Sequence, residues 1–320
     1  MSDTWVAVLS GGLSHEREVS LRSGRRLSAA LRSVGLTVDE WDADANLVPR
    51  LTDKRRPDAV IVALHGGAGE NGAVQNVLEM LHMPYVGTDP RACRRAWDKP
   101  TAKAELARAG VRTPDWVVLP HTVFRELGAQ GVLDAMVARL GLPLMLKPDQ
   151  GGSALGAQVV RDAADLPAAM VGCLAYGDTV LAEQYVEGIE VAVTVIDSPD
   201  GPVALPAVEI VAENGVYDYT ARYTAGLTTF HAPARLDAAT AAAVGELAVT
   251  AHRLLGLRDV SRTDAIIEPD GAVQFLEVNV SPGLTETSLL PMAVEAAGQS
   301  LGDVFAGLVD RALLRDRHIK

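Results

Sequence analysis

The sequence predicts an α/β protein, with a parallel-sheet unit at the N-terminus and mixed, hairpin-rich segments after it. Three observations predict this class. The first third alternates short apolar runs with glycine-rich turns and helically spaced segments. Near the middle, an apolar run ending at Lys147 enters a glycine-rich loop and a short apolar run follows, which reads as a hairpin. Near the C-terminus, Pro269-Asp270-Gly271 separates two apolar runs and is a strong hairpin signal. A chain of 320 residues is long for a single core, so two or three domains are expected.

The elements follow in order. Residues 5–9 form an apolar run and meet the turn Ser10-Gly11-Gly12. Val19, Leu27 and Leu31 then give helical spacing. Residues 59–64 read as a second buried strand, closed by the turn His65-Gly66-Gly67. A helix over 73–81 packs through Val74, Val77, Leu78 and Leu81. Asp98-Lys99-Pro100 marks a boundary, and a helix over 101–109 follows it. Residues 111–119 are extended, interrupted by Pro114 and Pro120. Strands are expected over 144–147, 159–160, 180–184 and 191–196. Residues 216–230, rich in Tyr, Thr and Gly, are expected to be a loop without regular structure. An alanine-rich helix over 238–255 precedes the last hairpin.

Composition narrows the function. Hydrophobic residues at 48% and charged residues at 22% describe a soluble globular protein, not a disordered one. A net charge of −12 argues against nucleic acid as partner, so Lys54-Arg55-Arg56 and the arginines of 91–95 read as solvated faces. Cys93 and Cys173 have no metal-ligand spacing and fit a reducing compartment. No apolar stretch reaches membrane-spanning length, so a cytoplasmic protein without membrane contact is expected.

The segment 262–291 carries the clearest chemistry. Pairing its two apolar runs brings Asp264, Glu277 and Asn279 together, all oxygen ligands of the kind Mg²⁺ prefers beside a phosphate. Ser281-Pro282-Gly283-Leu284 and Thr287-Ser288-Leu289 open a helix; they read either as an anion site or as plain N-capping. Lys99, Lys147 and Arg222 stand at strand or loop ends. Taken alone each reads as a surface charge, but Lys147 ends an apolar run before the loop 148–156, which suits a nucleotide phosphate. That loop lacks the P-loop ending and the dinucleotide fingerprint, yet could fold over phosphates as a lid. His65 reads equally as a hydrogen-bonded loop histidine and as a substrate contact. Glu16 and Glu18 stand where acids commonly stabilise a helix N-terminus.

Six blocks in order, over nearly the whole chain, resemble the D-alanine–D-alanine ligases of the ATP-grasp superfamily. They are G-G-L-S-H-E-R-E-V-S-L-R-S-G over 11–24, L-H-G-G-A-G-E-N-G over 64–72, Asp98-Lys99, the Lys147 loop, Y-D-Y-T-A-R-Y ending at Tyr223, and 262–291. The resemblance implies an N-terminal domain over 1–97, a central ATP-grasp subdomain over 98–182 and a C-terminal one over 183–320. It implies that Glu16 holds the ammonium of the first D-alanine through a set with Ser153 and Tyr223, and that His65 lies near that substrate's carboxyl. Lys99, Lys147 and Arg222 would contact ATP phosphates; Glu183, Gln184 and Val186 would border the adenine, and Glu190 the ribose. Asp264, Glu277 and Asn279 would hold two Mg²⁺ ions, with Mn²⁺ able to substitute. Arg262 and the Gly283 N–H would meet the tetrahedral intermediate, and Ser288 and Leu289 the second D-alanine's carboxylate. The implied product is D-alanyl-D-alanine for peptidoglycan precursors, made by a cytoplasmic homodimer. Gly151 and Ala154 depart from the family's E-G-S-S-x-G loop, Arg222 replaces the usual lysine and Asn71 the usual aspartate. These departures keep open an ATP-grasp ligase with another amino-acid or amine substrate in specialised metabolism or antibiotic self-resistance.

Overall fold

The computed structural model describes residues 4–213, 215–224 and 226–317; the side chains of Tyr223, Asp316 and Arg317 lie outside the described residues. Among the described residues the strands form three sheets. The first contains β1 (Trp5–Ser10), β2 (Thr37–Asp42), β3 (Ala59–Val62) and β4 (Tyr85–Val86), all parallel in the order β2-β1-β3-β4. The second contains β5 (Trp116–Pro120), β6 (Leu144–Pro148), β7 (Gln158–Val160) and β8 (Thr179–Gln184), antiparallel in the order β5-β8-β6-β7. The third contains β9 (Ile189–Ser198), β10 (Gly201–Ala204), β11 (Val208–Ala212), β12 (Thr228–His231), β13 (Val260–Ile267) and β14 (Val273–Asn279). Its order is β12-β11-β9-β13-β14, with β10 hairpinned onto β9. The expected α/β class, a parallel sheet followed by antiparallel ones, is what the chain adopts.

The helix Arg17–Ser33 buries Ser20, Ser23, Gly24, Leu27, Ser28 and Leu31 rather than a stripe that includes Val19. Small residues let it lie close to β1: a Cβ on Gly24 would fall 2.6 Å from that of Ser10. The last helix, Leu301–Arg317, returns to this same region and packs on Arg17–Ser33. Phe305, Leu308 and Val309 therefore share a core with Val6, Val8, Leu27 and Leu31. Helices Ala129–Leu140 and Leu166–Leu174 bury Met136, Leu140, Met170 and Cys173 against the second sheet. Helix Ala238–Leu254 covers β9 and β13, while Pro90–Trp97 and Lys99–Arg108 pack on β14 around Phe275 and Val278.

Two local expectations change. The stretch 216–230 is not irregular throughout: Asp218 accepts from Ala221 N at 2.8 Å and caps a short helix, Tyr219–Tyr223, and β12 then pairs with β11. Composition hid the cap, because one aspartate ahead of a single turn is a weak signal. The arginines of 91–95 are not all solvated either, since half-buried Arg95 donates to the Leu255 carbonyl. No described helix is long and apolar enough to cross a membrane.

Candidate active site

The ends of all three sheets converge on two adjoining cavities. The larger, ≈ 400 Å³, lies between the second and third sheets and is lined by Lys147, Glu183, Gln184, Val186, Glu190 and Asp264 among others. The smaller, ≈ 100 Å³, is lined by Glu16, His65, Ser153, Arg262, Gly283 and Ser288, with Asn279 and Leu289 also on its wall. Lys99, Gly151, Gly152, Tyr217, Arg222 and Glu277 line both cavities and form the wall between them. Every site residue expected from the sequence thus stands on one cavity or both, except Tyr223, whose side chain lies outside the described residues.

Glu16 precedes the helix Arg17–Ser33, and its carboxylate accepts from Ser153 Oγ of the 148–156 loop. Ser153 (φ 52) and Ala154 (φ 54) both lie in the left-handed region, which turns the loop toward Glu16. Two glycines flank that carboxylate closely. A Cβ on Gly66 would fall 2.6 Å from Glu16 Oε2, and one on Gly152 would fall 3.0 Å from it. Glu70, which sequence reasoning left unassigned, is buried on the same cavity wall and accepts from Gly66 N at 2.7 Å. Burial, with the charge of Glu16 adding, pushes its carboxyl up to about 8.

His65 is buried, and both ring nitrogens have protein partners: Nδ1 lies 3.0 Å from the Ser281 carbonyl and Nε2 2.7 Å from Ser23 Oγ. The carbonyl requires a proton on Nδ1, so Nε2 accepts from the Ser23 hydroxyl. Ser23 Oγ in turn accepts from Leu284 N at 3.0 Å. His65 therefore ties the first sheet to the 281–284 turn. Burial pushes its pKa down to about 4, with Arg262 adding to the effect.

The hairpin has the register expected of it, Asp264 facing Glu277 and Arg262 facing Asn279. A bulge follows Asp264, and Asp264 stands within β13 rather than at its end. Arg262 Nε and Nη2 donate to the two Asp264 oxygens at 2.7 and 2.8 Å, a fork that fixes both side chains. Asn279 Oδ1 accepts from Ser281 N at 2.7 Å and starts the following turn. Lys99 Nζ donates to the Gly151 carbonyl at 2.7 Å and lies 3.7 Å from Glu277 Oε2. Burial alone would raise the Glu277 pKa, but Lys99, Lys147, Arg222 and Arg262 outweigh it and hold the carboxyl down at about 2. Glu190 behaves oppositely: burial, opposed by Arg222, pushes it up to about 7. Arg222 lies 4.2 Å from the centroid of the Tyr217 ring and donates Nε to the Tyr217 carbonyl at 3.3 Å.

No three His, Cys, Asp or Glu side chains among the described residues form a ready metal cage. Asp264 and Glu277, paired in register beside the Asn279 amide, fit a different kind of site. Mg²⁺ is commonly bound by one or two carboxylates and completed by substrate phosphates and water.

At the helix Leu289–Ala296, Ser288 occupies the N-cap position, yet its Oγ bonds back to Thr285 N at 2.9 Å and Thr285 Oγ1 at 2.8 Å instead of capping the helix. A Cβ on Gly283 would fall 2.7 Å from that Oγ, so the chain approaches closely at this point.

Comparison with known proteins gives consistent relatives. Residues 36–88 match the family model described as the D-ala D-ala ligase N-terminus, and residues 106–310 the D-ala D-ala ligase C-terminus. A D-alanine–D-alanine ligase of Anaeromyxobacter sp. (strain K) is 41% identical over 316 residues, covering 98% of this chain and 99% of the relative. Among solved structures, a Bacillus anthracis D-alanine–D-alanine ligase complexed with ATP has a TM-score of 0.81 at 26% identity, covering 99% of this chain and 100% of that one. The VanG D-Ala:D-Ser ligase of Enterococcus faecalis has a TM-score of 0.84 at 25% identity, covering 97% of this chain and 100% of that one.

Proposed function

The chain belongs to the D-alanine–D-alanine ligase family, and from that premise we propose that its two cavities join two D-alanines in an ATP-dependent reaction. The observation that carries the proposal is the shared wall of Lys99, Gly151, Gly152, Tyr217, Arg222 and Glu277. A phosphoryl group leaving a nucleotide in the larger cavity crosses that wall to reach a carboxylate in the smaller one.

A free carboxylate resists attack, because its charge repels nucleophiles and oxide is a poor leaving group. Transfer of the γ-phosphoryl group to the first D-alanine makes an acylphosphate, with phosphate as the leaving group. Glu16, held by Ser153, receives that substrate's ammonium, and His65 fixes the 281–284 turn beside its carboxyl. Glu183, Gln184 and Val186 border the adenine, Glu190 takes the ribose hydroxyls, and Lys99, Lys147 and Arg222 face the phosphates. When bound by Asp264, Glu277 and Asn279, Mg²⁺ offsets charge on the phosphate oxygens. Ser288 and Leu289 orient the second D-alanine by its carboxylate, and its amine attacks the acylphosphate carbonyl. Arg262, fixed by Asp264, and the Gly283 N–H meet the developing oxyanion. The 148–156 loop and the segment ending at Tyr223 close over the acylphosphate and keep water out. The lobes divide near residues 98 and 183, and the enzyme works in the cytoplasm as a homodimer supplying peptidoglycan precursors.

Incubating the protein with ATP, Mg²⁺ and D-alanine tests this reading, the expected products being ADP and D-alanyl-D-alanine in equal amounts. One observation favours a second reading of the acceptor alone. Gly151 and Ala154 alter the lid loop, and a D-Ala:D-Ser ligase shares the fold. A panel of D-amino acids and amines as acceptors separates the two; ADP release with another acceptor and no D-alanyl-D-alanine would overturn the first.

A further inference from the structure

Lys103 is among the largest fully buried side chains of the described residues, although it ends in an ammonium group. It stands one turn after Lys99 on the helix Lys99–Arg108. Lys99 faces the wall between the cavities, whereas Lys103 turns into the protein. Its Nζ donates to Thr113 Oγ1, lies 2.6 Å from Glu183 Oε1 and is 5.0 Å from the centroid of the Trp116 ring. Thr113 Oγ1 donates onward to the Phe275 carbonyl of β14 at 2.8 Å, so the ammonium is pinned to the strand that also carries Glu277. The other oxygen of Glu183, Oε2, lies 2.6 Å from Lys147 Nζ.

One buried carboxylate is thus shared between two ammonium groups. Lys103 is walled in, with no exposed side-chain surface, while Lys147 lines the larger cavity. Stranding a buried charge by removing its last partner is strongly unfavourable. If Lys147 were the sole partner of Glu183, it could not turn toward a phosphate without leaving that carboxylate bare. A second, immobile cation removes the obstacle. Burial pushes the Lys103 pKa down to about 8 against the pull of Glu183, so a cation is held here at a site that disfavours it.

We propose that Lys103 is the resident counter-ion of Glu183 and frees Lys147 to exchange that carboxylate for a nucleotide phosphate. The proposal rests on the assignment of Lys147 to the ATP phosphates. Lys103 is a positioning residue, acting only through Glu183.

The test compares KM for ATP with Ki for adenosine, which shares the base and ribose but has no phosphate. In Lys147→Met, KM for ATP should rise about tenfold or more relative to Ki for adenosine, as expected for a lost charged contact. Lys103→Met should change the same ratio by a similar factor, because Lys147 then stays on Glu183. Adding Glu183→Gln to Lys103→Met should bring the ratio back to within about twofold of Glu183→Gln alone, since a neutral amide does not hold Lys147. A Lys103 that served only the fold would move both constants together and gain no such rescue. If Lys147→Met shifts the ratio and Lys103→Met leaves it unchanged, the proposal is overturned and the phosphate assignment stands. If Lys147→Met leaves the ratio unchanged, the assignment fails and the proposal fails with it. Should Lys103→Met not fold, the double variant against Glu183→Gln alone decides, and a tenfold difference between them overturns the proposal.

Discussion

Glu16 shows how tightly single residues constrain the site. Gly66 has φ +68, and a Cβ there would fall 2.6 Å from Glu16 Oε2. Gly66→Ala adds backbone strain of about 1–3 kcal/mol and displaces the carboxylate. Its KM for D-alanine at saturating ATP should rise about tenfold or more, and a KM unchanged in a folded variant would show that Glu16 does not hold the substrate ammonium. His65 makes a prediction about pH. Its pKa is lowered to about 4 in the fold from an ordinary 6.5, so the stability it carries is present above pH 6.5 and is lost as pH falls toward 4. That shift corresponds to about 3 kcal/mol. Urea unfolding of wild type and His65→Gln between pH 7.5 and 4.5 should therefore show their stability difference shrinking by roughly 2–3 kcal/mol. A difference independent of pH would mean that the imidazole is not buried in its neutral form.

The β13–β14 hairpin is where element geometry becomes chemistry. Its register sets Asp264 opposite Glu277, and Lys99, Lys147, Arg222 and Arg262 all stabilise the Glu277 charge. Glu277→Gln keeps the size of the side chain and removes the charge those cations surround. Turnover should fall at least about 100-fold, measured as ADP release, because charge placed for the transition state commonly carries that much. The circular dichroism spectrum should not change, since Glu277 is only partly buried and strand pairing runs through the backbone. A near-normal rate would remove Glu277 from the metal-binding set.

Across the whole molecule, the first and third sheets are locked together at Asp259, whose side chain is fully buried. Arg315 of the last helix donates to its two oxygens at 2.6 and 2.7 Å, and Gly87 N donates to Oδ2 at 2.8 Å. Asp259 N in turn donates to Asp197 Oδ2 at 2.8 Å. Arg315→Met leaves the carboxylate buried without that partner, and breaking a buried pair in this way costs about 3–5 kcal/mol. Urea denaturation should show a loss of that order, while KM for both substrates in the folded fraction stays near wild type. A loss under about 1 kcal/mol would mean that the pair behaves as a surface ion pair.

The sequence by itself determined the class of fold, the hairpin and the kinds of chemical group available. Those features are local: alternation of apolar runs and turns, the Pro269-Asp270-Gly271 signal, and short blocks such as 64–72 and 262–291, whose candidate residues lie in one turn or in a strand pair and the turn and helix start after it. Tertiary structure alone decided which groups meet. Glu16 and Ser153 touch across 137 positions, and His65 and Ser281 across 216, distances over which no periodicity operates. For His65 the residue pattern left two readings open, and only the packed turn gave each ring nitrogen a partner. No pattern in the sequence marks Lys103, because burial is a property of what packs over a side chain, and here that is Trp116, Thr113 and Glu183 from other elements. The short helix Tyr219–Tyr223 escaped a composition-based reading for a related reason: one turn depends on its cap and surroundings more than on propensity. Local pattern thus supplied the oxygen ligands, the cations and the turns. The shared wall between the two cavities, with Lys99, Arg222 and Glu277 on both sides of it, exists only because three sheets end at one place.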